Sequence, residues 1–222
     1  MSAPARNAVL SLAAALAAAL AATLAAARVE ARTGLWFEAG PALGGIALDA
    51  DLADYRWDTG ASTLWGGRVL AGRGPFALGL SGWRSGTTQD TGLPGDPAPL
   101  AVSVSALSLT GLVRVARPLG CELRLGGQAG RLHAGWEPGS LVVDTGQGAP
   151  VEVVFADIDE WCVGLVAEIQ RDLGRGLVTT VQADWSSFAL DTAHRRGDEI
   201  VQERERFSAW AARVQVGWRW SR

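Results

Sequence analysis

The chain has 222 residues, a formal net charge of −3, and arginine at all 20 of its basic positions. So small a charge, with no basic run flanked by stacking aromatics, excludes nucleic acid as a partner class. The length allows one domain or one closed sheet and argues against two domains.

The N-terminal residues place one positive charge, Arg6, before an Ala/Leu/Val run over 8–27, and Val29-Glu30-Ala31 then supplies the small-residue pattern of a signal-peptidase site. The expectation is a signal peptide over 1–31, cleaved after Ala31, and a mature domain over 32–222. An uncleaved anchor is the alternative, since about 20 apolar residues can span a bilayer, but alanine dominates the run and inserts weakly. From Arg32 onward no stretch approaches the ~18 consecutive apolar residues of a transmembrane helix.

Apolar residues then recur at every second position in segments 35–47, 63–71, 76–85, 101–116, 121–136, 161–170, 177–189 and 207–220, a period that predicts strands with two unlike faces. The connections 48–62, 86–100, 137–160 and 190–206 are long and rich in Asp, Gly, Thr and Pro. Those between them are short and hold turn chemistry: Gly72-Arg73-Gly74-Pro75, Arg117-Pro118-Leu119-Gly120 and Asp172-Leu173-Gly174-Arg175. Alternating long and short connections predict an all-β, eight-stranded antiparallel up-and-down barrel, with all long loops at one end. In the third long connection, Leu141-Val142-Val143 and Val151-Glu152-Val153-Val154-Phe155 flank a Gly-containing turn at 145–148, which predicts that the fifth and sixth strands project as a hairpin.

The last strand sets Trp210, Ala212, Val214, Val216, Trp218 and Trp220 on one parity and Arg213, Gln215, Gly217 and Arg219 on the other. Similar splits set Trp161, Val163, Leu165, Ala167 and Ile169 against Gly164, Glu168 and Gln170. Parity alone does not say which face points outward. Tryptophan placement does: Trp65, Trp136, Trp161, Trp185 and Trp210 fall near the long-loop ends of their strands, Trp218 and Trp220 near the other end. Indoles prefer the headgroup level, so these are expected as two membrane-interface belts around a transmembrane barrel. Trp36 and Trp83 fall on the polar parity, and Trp57 lies in a loop.

With the apolar face outward, the lumen is expected to receive Glu38, Arg68, Arg114, Glu122, Arg124, Gln128, Arg131, His133, Glu168, Gln182, Asp184, Arg213, Gln215 and Arg219. Buried charges are costly unless paired, so this excess of cations over carboxylates predicts a plugged barrel with water or loop carboxylates inside.

This arrangement resembles the small outer-membrane barrel family that includes the OmpA transmembrane domain and the OmpX/Ail-type proteins, over 32–222 and in architecture. The resemblance implies residence in a bacterial outer membrane and the barrel-assembly machinery as a partner in biogenesis. That family ends its last strand at a terminal aromatic; here Ser221 and Arg222 follow Trp220.

Candidate chemistry is sparse. Cys121 and Cys162 open strands at opposite ends of the wall, too far apart for a disulfide, and read as small wall residues. His133, in Leu132-His133-Ala134-Gly135, lacks the nearby serine that a lipid-modifying hydrolase needs, although Ser186, Ser187 or Asp184 on the seventh strand are conceivable partners. His194 lies in a charged stretch over 191–199 that reads as solvated loop. Asp49, Asp51, Asp54, Asp58, Asp157, Asp159 and Glu160 show no calcium-loop spacing and keep the rim soluble. The expectation is therefore a protein without enzymatic activity, cofactor or metal, which meets outer-membrane lipid along its wall and surface proteins or lipopolysaccharide through its loops. Two alternatives stand behind it. One is a soluble periplasmic lipocalin-like barrel binding an apolar ligand, for which Gly34-Leu35-Trp36 matches the G-x-W of lipocalins. The other is a lipid-modifying barrel enzyme using His133.

Overall fold

The computed structural model describes residues 34–93, 98–144, 150–196 and 199–221; the expected signal peptide and the turn at 145–148 lie outside them. In chain order the strands are β1 (Leu35–Leu48), β2 (Ser62–Arg73), β3 (Phe76–Gln89), β4 (Leu100–Ala116), β5 (Cys121–Glu137), β6 (Ser140–Val143), β7 (Val151–Val154), β8 (Ile158–Gly174), β9 (Leu177–Arg196) and β10 (Glu199–Ser221). All but β6 and β7 close into one barrel in the order β1-β10-β9-β8-β5-β4-β3-β2. Every neighbouring pair is antiparallel, and β1 meets β10 from Trp36↔Ser221 to Leu48↔Ala209, so no sheet edge is left along the wall. Closure satisfies the backbone polar groups internally, which is what a strand in hydrocarbon requires.

Long and short connections alternate as the spacing predicts as far as β9. The short ends turn on left-handed residues: Gly74 at φ 61°, Leu119 and Gly120 at φ 50° and 78°, and Gly174, Arg175 and Gly176 at φ 91°, 54° and 84°. The small barrel also bends its strands tightly. At inward-facing Gly44 and Gly126 an added Cβ would lie 2.0 Å from the Ala212 carbonyl oxygen and 1.8 Å from that of Gly111, so only glycine fits.

Two connections differ from expectation. Residues 190–196 and 199–206 are not loop: β9 and β10 pair through them up to Arg196↔Glu199, forming a ribbon that rises above its neighbours, since β8 last meets β9 at Cys162↔Phe188 and β1 last meets β10 at Leu48↔Ala209. A strand pair that packs no apolar face needs no apolar alternation, and the sequence of this stretch carries none. The pairing segments 140–143 and 151–154 do form a hairpin, but as a separate two-stranded sheet, β6 with β7, rather than as a prolongation of the barrel strands.

The first long connection folds inward. Ala50–Tyr55 forms a 3-10 turn begun by Asp49, whose Oδ1 accepts from the Asp51 N–H at 3.3 Å. The Oδ2 of Asp49 also accepts from the backbone N–H and the hydroxyl of Ser208, each at 2.9 Å, which ties this turn to β10. Leu52 and Trp57 are thereby buried in an apolar core with Ile46, Leu64, Trp83, Val102, Val104, Leu132, Phe188, Leu190 and Phe207. The long-loop end of the lumen is thus filled by side chains, each contributing about 1.5–3 kcal/mol through burial.

Candidate functional site

The other half of the lumen is a buried ion network. Alternation turns Glu38 of β1, Arg68 of β2, Arg124 of β5, Glu168 of β8 and Arg213 of β10 inward, and all are buried, Glu38 at 0% and Glu168 at 1% exposure. Arg68 bridges two carboxylates, donating through Nη1 to Glu168 and through Nη2 to Glu38 at 3.1 Å. Arg124 donates to the second oxygen of Glu168 at 3.2 Å and to Glu122 at 2.5 Å. Gln170 donates to Glu38 at 2.7 Å and to Thr180 at 3.0 Å, and Arg219 donates to Glu38 at 2.9 Å and to the side-chain carbonyl of Gln170. A separate pair closes the network upward: Arg213 donates twice to Asp184 Oδ2, at 2.7 Å and 3.2 Å, and Gln182 adds a third bond at 3.1 Å. Each carboxylate that ion pairs here is met by more than one donor, the condition under which buried charge is tolerable.

At the short-turn mouth the network reaches water. Arg114 and Arg117 donate to Glu122 at 3.3 Å and 2.8 Å, while the Arg124 and Arg219 guanidiniums stack on the Trp36 ring at 4.9 Å and 4.7 Å from its centroid. Trp36 therefore belongs to the lumen, in keeping with its polar parity, and so does buried Trp83.

Three expected placements are corrected. Arg131 and His133 do not enter the lumen. The register of β5 against both neighbours runs unbroken from Arg124 to Ala134, so Arg124, Gln128 and Leu132 point inward and Arg131 and His133 point outward. Arg131 instead lies over the outer-wall Trp161 at 5.4 Å and donates to the Asp159 backbone carbonyl at 3.3 Å. The third is Trp136, which shares the inward parity of Leu132: its Nε1 donates to Gln89 at 2.6 Å and its ring meets Trp57 edge-on at 5.9 Å, inside the plugged end. The remaining expected belt residues, Trp65, Trp161, Trp185, Trp210, Trp218 and Trp220, lie on the outward parity of their strands.

Register brings one catalytic-looking row together on the outer wall, where Ser105 of β4 faces His133 of β5 and His133 faces Asp159 of β8. His133 Nδ1 and Asp159 Oδ1 lie 3.2 Å apart, but among the described residues no hydrogen bond links Ser105 to His133, so no proton relay to a nucleophile is formed. Ser186 and Asp184, on the inward parity, lie on the other side of the wall from His133, and Ser187 faces Val163 lower on the wall. Cys121 and Cys162 are free thiols, Cys162 buried in the apolar core. His194 pairs with Val201 in the β9–β10 ribbon rather than lying in a loop, and no group of His, Cys, Asp and Glu among the described residues is arranged to hold a metal ion.

The apolar half of the lumen, absent from the expected lumen residues, has a signal in the sequence. On β10 the inward parity passes from Arg219, Gln215 and Arg213 to Ala211, Ala209 and Phe207, and on β9 from Asp184 to Phe188 and Leu190. The switch along one parity, from polar to apolar, marks the level at which the plug begins.

No family model matches the chain, and no curated protein does. Solved structures do: outer membrane protein AlkL at 12% identity, covering 85% of this chain and 90% of that one with a TM-score of 0.48; Neisserial surface protein A (NspA) at 9%, 82%, 96% and 0.41; and the outer membrane protease OmpT from Escherichia coli at 8%, 87%, 99% and 0.38. Likenesses of this order speak to no activity; the fold rests on the chain's own strand pairing. By that pairing the chain is a closed, eight-stranded antiparallel β-barrel.

Proposed function

We propose that this chain is an integral protein of a bacterial outer membrane, with a closed lumen and outer connections that make its contacts with other surface molecules. The observation that carries the reading is the inverted polarity of the barrel. Leu43, Trp65, Leu80, Leu107, Val163 and Val214 are exposed on the wall, whereas Glu38, Arg68, Arg124 and Glu168 are buried inside it. An apolar exterior of this extent is unfavourable in water and favourable in hydrocarbon. A soluble lipocalin-like barrel needs the opposite arrangement, an apolar cavity and a wet outer wall.

Within this reading Trp65, Trp161, Trp185 and Trp210 form the belt toward the long loops and Trp218 and Trp220 the belt toward the short turns. Along β10, the eight steps from Trp210 to Trp218, tilted as barrel strands are, span about 20 Å of apolar band. Outer-membrane lipid is then the constant partner and the barrel-assembly machinery the transient one. The β9–β10 ribbon, the β6–β7 hairpin and the acidic rim are the parts placed to meet a surface protein or lipopolysaccharide. The plugged end argues for a structural or interaction role rather than conduction, and the incomplete Ser105–His133–Asp159 row argues against an enzyme.

Fractionation tests the reading. The protein is expected with the outer membrane, and a sample left unheated in detergent is expected to migrate differently from a boiled one. Recovery in the soluble periplasm with no mobility shift contradicts it.

A further inference from the structure

The short-turn mouth opens into a cavity of about 480 Å³ lined by Trp36, Arg114, Arg117, Glu122, Arg124 and Arg219, with Asp172 also on its lining. The lining is drawn from β1, β4, the turn after it, β5, β8 and β10, so the cup is built by strand closure rather than by one flexible loop. Its charge does not balance. Glu122 is the meeting point of Arg114 at 3.3 Å, Arg117 at 2.8 Å, Arg124 at 2.5 Å and Arg219 at 3.8 Å. Deeper in, Arg124, Arg219 and Arg68 share Glu38 and Glu168. Five guanidiniums in one connected network thus divide three carboxylates. On the lining itself Glu122 and Asp172 face four guanidiniums, and the Asp172 Oδ1 accepts the Gly174 N–H at 2.7 Å. Arg114 and Arg117 have no ion pair among the described residues beyond Glu122, which is already shared four ways.

We infer that this cup binds a small multivalent oxyanion, a phosphate or a polycarboxylate, between Arg114, Arg117 and Arg219. Planar guanidiniums present paired N–H donors that match the oxygen spacing of both groups, and charge-assisted bonds of this kind strengthen where water is partly excluded. A cavity of this size holds a small molecule. Trp36 gives the cup a rigid floor, because two stacked guanidiniums hold its ring. Glu122 competes with the ligand for the same donors and sets the affinity. The inference goes beyond the outer-membrane reading and depends only on the lumen's geometry, so failure of one is distinguishable from failure of the other.

The test is calorimetric titration of the folded full chain in detergent with inorganic phosphate and, separately, with citrate, against chloride matched in ionic strength. Saturable binding at one site is expected for phosphate, citrate or both, and which of them binds identifies the ligand chemistry. Arg117→Gln, at an exposed turn where folding is little affected, is expected to weaken binding about tenfold, the scale of one lost charge-assisted partner. Glu122→Gln is expected to strengthen it, and Arg84→Gln, on the outer wall, to leave it unchanged. Absence of saturable heat beyond chloride, or equal weakening by Arg117→Gln and Arg84→Gln, overturns the inference.

Discussion

Glu168 takes an ion pair on each of its oxygens, from Arg68 and from Arg124, at a position with 1% exposure. Removing it takes from Arg68 and from Arg124 one of the two carboxylates each pairs with and leaves the buried network one negative charge short, so Glu168→Ala is expected to cost about 3 kcal/mol, read as a lowered urea midpoint for unfolding from lipid vesicles. Asp184 and Arg213 make a more self-contained pair. Either single apolar replacement leaves an uncompensated charge, whereas Asp184→Leu with Arg213→Met together remove both. The double variant is expected to be more stable than either single one, and a double loss equal to the sum of the singles denies the coupling. Glu38, Arg68, Arg124, Glu168 and Arg213 were legible in the sequence because charge and parity agree at each. Arg131 and His133 were not, because their polarity points to the lumen while the uninterrupted count along β5 turns them outward. Near the headgroup level an outward charge costs only about 0–1 kcal/mol, so a polar residue there has no need to face inward.

At the scale of the element, β10 states the two faces of the wall most clearly, and its outward row from Trp210 to Trp220 is legible without any structure. Val214 lies midway between Trp210 and Trp218 and is exposed on the wall. Val214→Arg is expected to destabilise the folded state by roughly 2–4 kcal/mol in a bilayer, the cost of a charge at mid-depth, and Ala212→Ser by much less. Equal stability of Val214→Arg and the parent chain in vesicles denies that this row meets hydrocarbon. The upper part of the same strand was illegible. Between Glu199 and Arg206 only Ile200 and Val201 are apolar, and they are adjacent, so the sequence carries no alternation from which to read a strand. The inward turn of Asp49 to Trp57 was hidden for another reason. Its anchors, the Asp49 bonds to Ser208 and the contact of the Tyr55 and Phe207 rings at 5.9 Å, join residues far apart in the chain, and no local pattern reports them.

At the scale of the whole molecule, the lumen changes character along its axis, from the arginine-lined mouth through the paired charges around Glu38 and Glu168 to the apolar plug around Leu52, Trp57 and Phe207. Strand count, alternation of connections and closure were legible because each follows from local period and turn chemistry. The plug at one end and the ion network at the other depend on which inward side chains closure brings together, which no single strand encodes. An apolar wall surrounds this interior, and lipid contact at the middle of β10 is its sharpest test. In a chain with Cys121 and Cys162 replaced by alanine, a cysteine placed at Val214 and labelled with an environment-sensitive fluorophore is expected to be quenched by lipids brominated deep in their acyl chains. The same label at Gln215, one residue along and facing the lumen, is expected to be spared. Quenching at 215 and not at 214, or at neither, contradicts the account.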